Sequence, residues 1–160
     1  VLQGKGLECQ VDVQEDLLIM ADPDKLARVF DNILRNAIAY CKANTVISIR
    51  CYGEKEAVNI IFENEGQTIS EEALDKIFEK FYREDAARSS ATGGAGLGLA
   101  IAREIVELHG GTIRAESQDG KTRFIVMLPK EKGNKENEIY THRRRTSWGM
   151  SERWKGLHRK

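Results

Sequence analysis

The order of apolar and polar residues divides the first 130 residues into short segments of strand-like and helix-like periodicity. Apolar residues alternate with polar ones over Leu7–Val13, which predicts a half-buried strand, and Leu17–Met20 is a short apolar strand candidate. Over residues 23–42 the apolar residues recur every three or four positions, which predicts one amphipathic helix. Asp22-Pro23 is typical of a helix start, with Asp as the N-cap and Pro in the first helical position.

The remaining segments alternate between strands and short helices. The predicted strands are Thr45–Tyr52, Ala57–Glu63 (with Gly53 as the turn between them), Thr112–Glu116 and Arg123–Leu128 (around Asp119-Gly120). The predicted helices are a short one that Ser70 caps and that carries Leu74, Ile77, Phe78 and Phe81, and one over 97–108 that Gly110-Gly111 ends. This order predicts an α/β two-layer sandwich, with a mixed, mostly antiparallel sheet and helices on one face.

The composition is that of a globular protein of about one domain. The chain has 160 residues, of which 41% are apolar and 31% charged. No apolar run approaches the roughly 18 residues of a membrane span, and no signal peptide is expected at the start. The three cysteines, Cys9, Cys41 and Cys51, lack CxxC spacing and lie among apolar residues, so we expect buried thiols in a reducing compartment.

The zero net charge hides an asymmetry between two parts of the chain. Residues 131–160 carry nine Lys or Arg against four Glu, a net charge of +5, and residues 1–130 carry −5. The apolar periodicity also stops after Pro129, which places the end of the domain near residue 130 and predicts a basic, disordered tail over 131–160. The Arg143–Arg145 run and two tryptophans could contact nucleic acid or lipid headgroups, but a solvated tail or a non-native extension is favoured, and no specific nucleic-acid partner is expected.

Four glycines, at positions 93, 94, 96 and 98, lie where a polar segment becomes a predicted helix. Unpaired N–H groups at a helix start favour a phosphate, and glycine allows its close approach, although a hinge without a ligand would have the same pattern. The spacing is GxGxG, not the GxGxxG of a dinucleotide-binding fold, and no strand precedes it. Gly120-Lys121-Thr122 lacks the first glycine of a P-loop and precedes a strand, so it is interpreted as a hairpin turn.

Two polar groups add to this pattern. Asn32, Asn36 and Tyr40 lie four residues apart and therefore share one face of the 23–42 helix, where amide oxygens could coordinate Mg²⁺ beside phosphate oxygens. Asn64 and Gly66 follow a strand, where a polar side chain could bind a purine edge with room for the base. A solvated polar stripe and an ordinary loop are the alternatives.

In this order the motifs resemble a known family. They are Asn32-x-x-x-Asn36, Asn64-x-Gly66, Ile77–Arg83, Gly93–Leu99 and His109-Gly110-Gly111. Together they resemble the N, G1, F and G2 boxes of the catalytic ATP-binding domain (HATPase_c) of two-component sensor histidine kinases, over residues 5–129. Asp22–Phe30 and Ala87–Ser90, with Ala95 inside the G2 box, further resemble VanS-type vancomycin-resistance sensors. The resemblance implies a Bergerat (GHKL) fold that binds ATP with Mg²⁺.

The resemblance also implies roles for individual residues. Asn36 would ligate Mg²⁺, Asn32 would support the phosphates, and Arg83 and Arg88 would reach the transferring phosphate from a lid over Arg83–Gly94. The residues implied in nucleotide binding are Asn32, Asn36, Tyr40, Asn64, Gly66, Ile69, Tyr82, Gly94, Gly96, Leu97 and Gly98. The chain departs from the family pattern at Ala39 (often Lys), Asn64 (usually Asp) and Thr68 (usually Gly), so we expect a modest affinity for ATP.

The same resemblance favours phosphate transfer over hydrolysis. Asn32 stands where gyrase- and Hsp90-type ATPases have a Glu base, and an amide cannot take a proton from water at neutral pH. The implied activity is that of a protein-histidine kinase whose acceptor histidine lies in a separate dimerisation domain, because none of the histidines at 109, 142 and 158 precedes an acid. A response regulator would take the phosphate next, in VanS-like control of vancomycin resistance.

The implied setting is cytoplasmic, in a membrane-anchored homodimeric sensor, with this chain alone a monomer. Two alternatives remain: a signalling module that has lost nucleotide binding, and a conformational ATPase of the gyrase/Hsp90 type.

Overall fold

The computed structural model of the chain describes residues 5–82 and 96–131. In chain order the elements are β1 (Glu8–Val13), α1 (Pro23–Tyr40), β2 (Val46–Glu54), β3 (Ala57–Glu65), α2 (Glu71–Lys76), α3 (Gly98–Leu108), β4 (Thr112–Gln118) and β5 (Lys121–Pro129). Among the described residues, no helix is both long enough and apolar enough to cross a membrane.

The strands form one five-stranded sheet in the order β1-β2-β3-β5-β4. β1 runs parallel to β2 and the other neighbours are antiparallel, which confirms the predicted mixed sheet. α1 and α3 pack against each other and on one face of the sheet. The core between the layers is apolar and closely packed: Ile33, Phe62, Val106 and Phe124 are at most 2% exposed. The predicted two-layer sandwich is confirmed.

The start of α1 agrees with its sequence signals. Pro23 is the first helical residue, and the Asp22 carboxylate accepts hydrogen bonds from the backbone N–H groups of Asp24 at 3.0 Å and Lys25 at 3.1 Å. These bonds satisfy donors that the first turn leaves unpaired.

The end of α1 differs from the prediction by two residues. Cys41 has an extended backbone and forms an isolated β-bridge with Gly66, which ends the helix at Tyr40 and not at residue 42. No basic residue lies in the last turn of α1, but the Lys5 ammonium group donates to the carbonyls of Ile38 at 2.8 Å and Ala39 at 3.0 Å. A cation from outside the helix thus satisfies carbonyls at its C-terminus.

The predicted strand at Leu17–Met20 is wrong. Asp16 has a left-handed backbone (φ 60°) that turns the chain out of line with β1. Leu17 then packs against Gly53, and the carbonyl of Leu18 accepts a hydrogen bond from the Glu131 N–H at 2.9 Å. The segment therefore crosses the end of the sheet without joining it.

Other boundaries shift for local reasons. Gly53 lies inside β2, and the turn falls at Lys55-Glu56, where Lys55 has φ 52°. The short helix ends at Lys76, before the phenylalanine at position 81, which is 72% exposed. β1 is less buried than predicted, because it is an edge strand with Val11 51% exposed and Val13 57% exposed.

The cysteines are free thiols, as expected, although only Cys41 is fully buried. Cys9 and Cys51 are half-buried, and that burial raises the pKa of both thiols.

Candidate functional site

One face of α1 carries the polar side chains that the sequence singled out. The adjacent face buries Leu26, Val29, Ile33 and Ala37 in the core. Asn32, Asn36 and Tyr40 lie along the edge of this buried face, where the two asparagines are half-buried and Tyr40 is 40% exposed.

Asn32 brings α1 into contact with the start of α3. A Cβ built on Gly98 would lie 3.3 Å from the Asn32 side-chain oxygen, so glycine allows the two helices to meet at this point. The Asn32 amide nitrogen is buried and, within the described part of the chain, has no hydrogen-bond partner. An unpaired buried donor is unfavourable, and an anionic oxygen is the partner that would satisfy it best.

The end of α1 meets the segment of residues 64–69, which we call the base loop. The Lys42 N–H donates to the carbonyl of Glu65 at 2.8 Å. A Cβ on Gly66 would overlap the carbonyl oxygen of Tyr40, so only glycine fits there. Tyr40, Gly66 and Asn64 thus lie at one end of the sheet.

The β4–β5 hairpin holds the base loop in place. The Gly66 N–H donates to the carbonyl of Gly120 at 2.8 Å, and the Gly120 N–H donates to the Thr68 hydroxyl at 3.0 Å. The Ser117 hydroxyl accepts from the Ile69 N–H at 2.9 Å. Only its first two residues belong to β3, so these three bonds and the bridge between Cys41 and Gly66 hold the rest of the loop in place.

A polar row lies under the base loop on the helix-facing side of the sheet. Register places Asn64 opposite Thr122, and Thr122 opposite Ser117. Asn64 is 3% exposed and Thr122 is 4% exposed, and the Thr122 and Ser117 hydroxyls are 2.9 Å apart. The other helix-facing positions of β3 and β5 are apolar. This end of the sheet therefore presents polar groups to the helix layer, whereas the rest of that face is hydrocarbon.

The start of α3 has the features of an anion site. Leu97 is its N-cap and makes no side-chain capping bond, and Gly96 has a left-handed backbone (φ 69°). The Phe81 N–H donates to the carbonyl of Gly96 at 3.0 Å, which holds the residues on either side of the undescribed segment together. Asn32 lies beside Gly98, the first residue of α3, where the first-turn N–H groups and the positive end of the helix dipole are.

Comparison with known proteins agrees with this geometry. A family model described as "Histidine kinase-, DNA gyrase B-, and HSP90-like ATPase" matches residues 21–132. The chain belongs to this family. It is an HATPase_c domain of the sensor histidine kinase type, as its motifs predicted.

Two sensor proteins show which branch of the family the domain resembles. The HATPase_c domain is 54% identical over 128 residues to the sensor protein VanS of Enterococcus faecium, a match that covers 80% of this chain and 33% of VanS. It is 43% identical over 134 residues to VanSC of Enterococcus gallinarum, a match that covers 84% of this chain and 37% of VanSC. The chain therefore spans about a third of the length of these relatives.

Solved structures share the fold. The nucleotide-free catalytic domain of histidine kinase ThkA matches with a TM-score of 0.71 and 31% identity, covering 81% of this chain and 82% of that one. A structure of ThkA in complex with the response regulator TrrA matches with a TM-score of 0.67 and 30% identity, and the match covers 81% of this chain and 36% of that chain.

The HATPase_c domain brings most of the predicted site residues into one region, but in three groups. Asn32 lies with Gly98, next to Leu97 and Gly96; Tyr40 lies with Gly66, next to Asn64; and Asn36 lies between these groups on α1. Ile69 and Tyr82 are half-buried at the edges of the region. Arg83, Arg88, Gly94 and the predicted lid lie outside the described residues, as does the tail beyond residue 131.

Sequence reasoning missed the residues that support the base loop. Ser117, Gly120 and Thr122 belong to the hairpin that was set aside as a false P-loop. The hairpin interpretation is confirmed, yet the same residues hold the candidate site. A signal was present: Ser117 and Thr122 occupy inward positions of strands whose next inward residues, Ala115 and Phe124, are apolar.

A cavity of about 490 Å³ is lined mostly by residues of the opposite, helix-free face of the sheet, and Asn64 also lines it. Within it, Glu63 forms ion pairs with Arg123 and, at 3.7 Å, with Lys121. The hydrogen bond from Arg123 lowers the pKa of Glu63. These are cross-strand pairs that stabilise this face of the sheet.

His109 has a structural role in the HATPase_c domain. Its Nδ1 lies 2.7 Å from the carbonyl of Ile105, and its Nε2 accepts from the Asp22 N–H at 3.1 Å. The imidazole links the end of α3 to the start of α1, and both ring nitrogens are occupied.

Proposed function

We propose that the HATPase_c domain binds ATP together with Mg²⁺ between α1, the base loop and the start of α3. The observation that carries the proposal is the buried Asn32 amide nitrogen without a partner, which lies against Gly98. A phosphate oxygen at this point would accept from that amide and from the first N–H groups of α3.

The other ligand contacts follow from the same arrangement. The Asn36 side-chain oxygen is a hard donor of the kind that Mg²⁺ takes alongside phosphate oxygens and water. Within residues 5–82 and 96–131 no group of three His, Cys, Asp or Glu could hold a metal, so the ion would be shared with the nucleotide. The base would lie at Tyr40, Gly66, Ile69 and Asn64.

The reaction that this site supports is phosphate transfer from ATP to a histidine outside this chain, then to a response-regulator aspartate. Asn32 provides no general base for water, which disfavours the gyrase/Hsp90-type alternative. His109 cannot serve as acceptor, because both its ring nitrogens are bonded. The similarity to VanS and VanSC supports a cytoplasmic catalytic domain of a membrane-anchored, homodimeric sensor of vancomycin resistance, and the ThkA–TrrA complex supports a regulator partner.

Calorimetric titration with a non-hydrolysable ATP analogue, with and without Mg²⁺, tests the nucleotide site. We expect Mg²⁺-dependent binding that Asn36→Ala weakens at least tenfold, roughly the loss of one charge-assisted contact. Arg35→Ala is the matched control, because Arg35 is on the same helix with its side chain 75% exposed. Absence of binding by folded wild-type protein would refute the proposal and favour a signalling module that has lost nucleotide binding.

A further inference from the structure

The proposed position of the base beside Tyr40, Asn64, Gly66 and Ile69, which we call the base pocket, has at its polar end groups that can act either as hydrogen-bond donor or as acceptor. Asn64 is 3% exposed, and within the described residues no hydrogen bond holds its side-chain amide in either orientation. An amide has an acceptor oxygen on one side and a donor NH₂ on the other, and rotation by half a turn exchanges them. Asn64 can therefore present either a donor or an acceptor to a ligand.

The neighbouring hydroxyl pair has the same property. The Ser117 and Thr122 oxygens lie 2.9 Å apart, and either can be the donor. The Ser117 oxygen also accepts from the Ile69 N–H. The Thr122 hydroxyl can therefore either donate its hydrogen to the Ser117 oxygen or accept the hydrogen of the Ser117 hydroxyl. Thr122 lies next to Asn64 across β3 and β5, so the whole row can adapt to its ligand.

This reversibility bears on which purine the pocket accepts. Adenine carries a donor amino group at position 6, and guanine and hypoxanthine carry an acceptor oxygen there. A carboxylate at position 64 would be an acceptor only, and would leave a 6-oxo group facing an anion. The Asn64 amide can accept from the 6-amino group in one orientation and donate to the 6-oxo group in the other.

We propose that the base pocket accepts 6-oxopurine nucleoside triphosphates as well as ATP, and that Asn64 is the residue that removes the discrimination. This inference rests on the nucleotide site proposed above. It assigns Asn64 a direct contact with position 6 of the base, and it predicts tolerance of inosine and guanosine nucleotides where a carboxylate would reject them.

The test compares ATP with inosine triphosphate, which carry the same ribose and phosphates and differ in the base at position 6 and in the hydrogen that inosine carries on the adjacent N1. Both are titrated calorimetrically with Mg²⁺ into wild type and Asn64→Asp. For wild type we expect dissociation constants within about tenfold of each other. For Asn64→Asp we expect inosine triphosphate to bind about 100-fold or more weaker than ATP, since an unmatched polar contact costs two or more powers of ten.

Two further variants keep the result interpretable. Asn44→Asp makes the same chemical change at an exposed turn and should leave the ratio unchanged. Asn64→Ala removes both the donor and the acceptor of the amide and should lower the affinity for both nucleotides by similar factors. It tests the contact even if Asn64→Asp does not fold.

The outcomes separate the two proposals. If wild type binds ATP and rejects inosine triphosphate by 100-fold or more, or if Asn64→Asp and Asn64→Ala both leave the ratio and the affinities unchanged, the inference about Asn64 is wrong and the nucleotide site stands. If folded wild type binds neither nucleotide, both proposals are overturned.

Discussion

Asn32 and Gly98 bring the two long helices into contact, beside the position proposed for a phosphate. A Cβ on Gly98 would lie 3.3 Å from the Asn32 side-chain oxygen, and the Asn32 nitrogen is buried without a partner in the described part of the chain. A buried polar group without a partner in the free protein is an unfavourable feature that function can explain.

Asn32→Ala should therefore separate stability from binding. We expect the free energy of unfolding to rise by about 0.5–1.5 kcal/mol, because alanine removes an unpaired donor and favours the helix. The affinity for Mg²⁺-ATP should fall tenfold or more, roughly one lost charge-assisted bond. Urea denaturation and calorimetry measure the two effects. A variant that loses stability, or one that binds ATP like wild type, would contradict this role.

Gly66→Ala should damage both the fold and the site. The added methyl group would overlap the Tyr40 carbonyl oxygen, and neither backbone can move without breaking the bridge between Cys41 and Gly66. We expect a loss of about 1–3 kcal/mol in the free energy of unfolding, as for other overpacked positions. Urea denaturation provides the measurement. An unchanged transition midpoint would show that Tyr40 and Gly66 are not in close contact.

Thr68 should stabilise the base loop through its hydroxyl group. Thr68→Val keeps the shape and removes the acceptor for the Gly120 N–H, whereas Thr68→Ser keeps the acceptor. We expect Thr68→Val to speed amide exchange at Gly120 and to cost about 0.5–1.5 kcal/mol, with Thr68→Ser close to wild type. Hydrogen exchange followed by NMR resolves the single amide. Equal exchange rates at Gly120 in the two variants would show that the Thr68 hydroxyl does not stabilise the loop.

The Glu63–Arg123 pair on the opposite face should give a pH-dependent contribution to stability. Since the pKa of Glu63 is lower in the folded state than its ordinary value of 4.5, the contribution is complete above that value. It is lost as the pH falls through the folded-state pKa. We expect Glu63→Gln to lower the free energy of unfolding by about 0.5–1 kcal/mol at pH 7, a small effect because Arg123 is partly exposed. Below the folded-state pKa of Glu63 the substitution should have almost no effect.

Urea denaturation across this pH range measures the effect, with Glu104→Gln on the surface of α3 as the matched control. A difference between wild type and Glu63→Gln that is the same at pH 7 and in acid would contradict the assignment.

Local signals in the sequence predicted the elements that depend on local structure. Asp22-Pro23 and the helical period located α1, and Asp119-Gly120 located the last hairpin, where Asp119 and Gly120 both have positive φ. The spacing of Asn32 and Asn36 placed both on one face, as the structure shows.

Features that depend on tertiary contacts were not predictable in this way. The apolar run at Leu17–Met20 has the composition of a strand, but whether it pairs depends on the turn at Asp16. Lys55 takes a left-handed conformation that nothing in its residue type signals. The bonds from Gly120 and Ser117 to the base loop exist because β5 lies between β3 and β4, and periodicity does not specify strand order.

The bonds between the hairpin and the base loop also bear on the entropy of ligand binding. The partners that hold Gly66, Thr68 and Ile69 are Gly120 and Ser117, which belong to the fold itself. Their conformational freedom is lost when the chain folds, so binding need not order them again. The wall of the base pocket is therefore preorganised, and a substitution far out on the hairpin could weaken binding without touching the nucleotide.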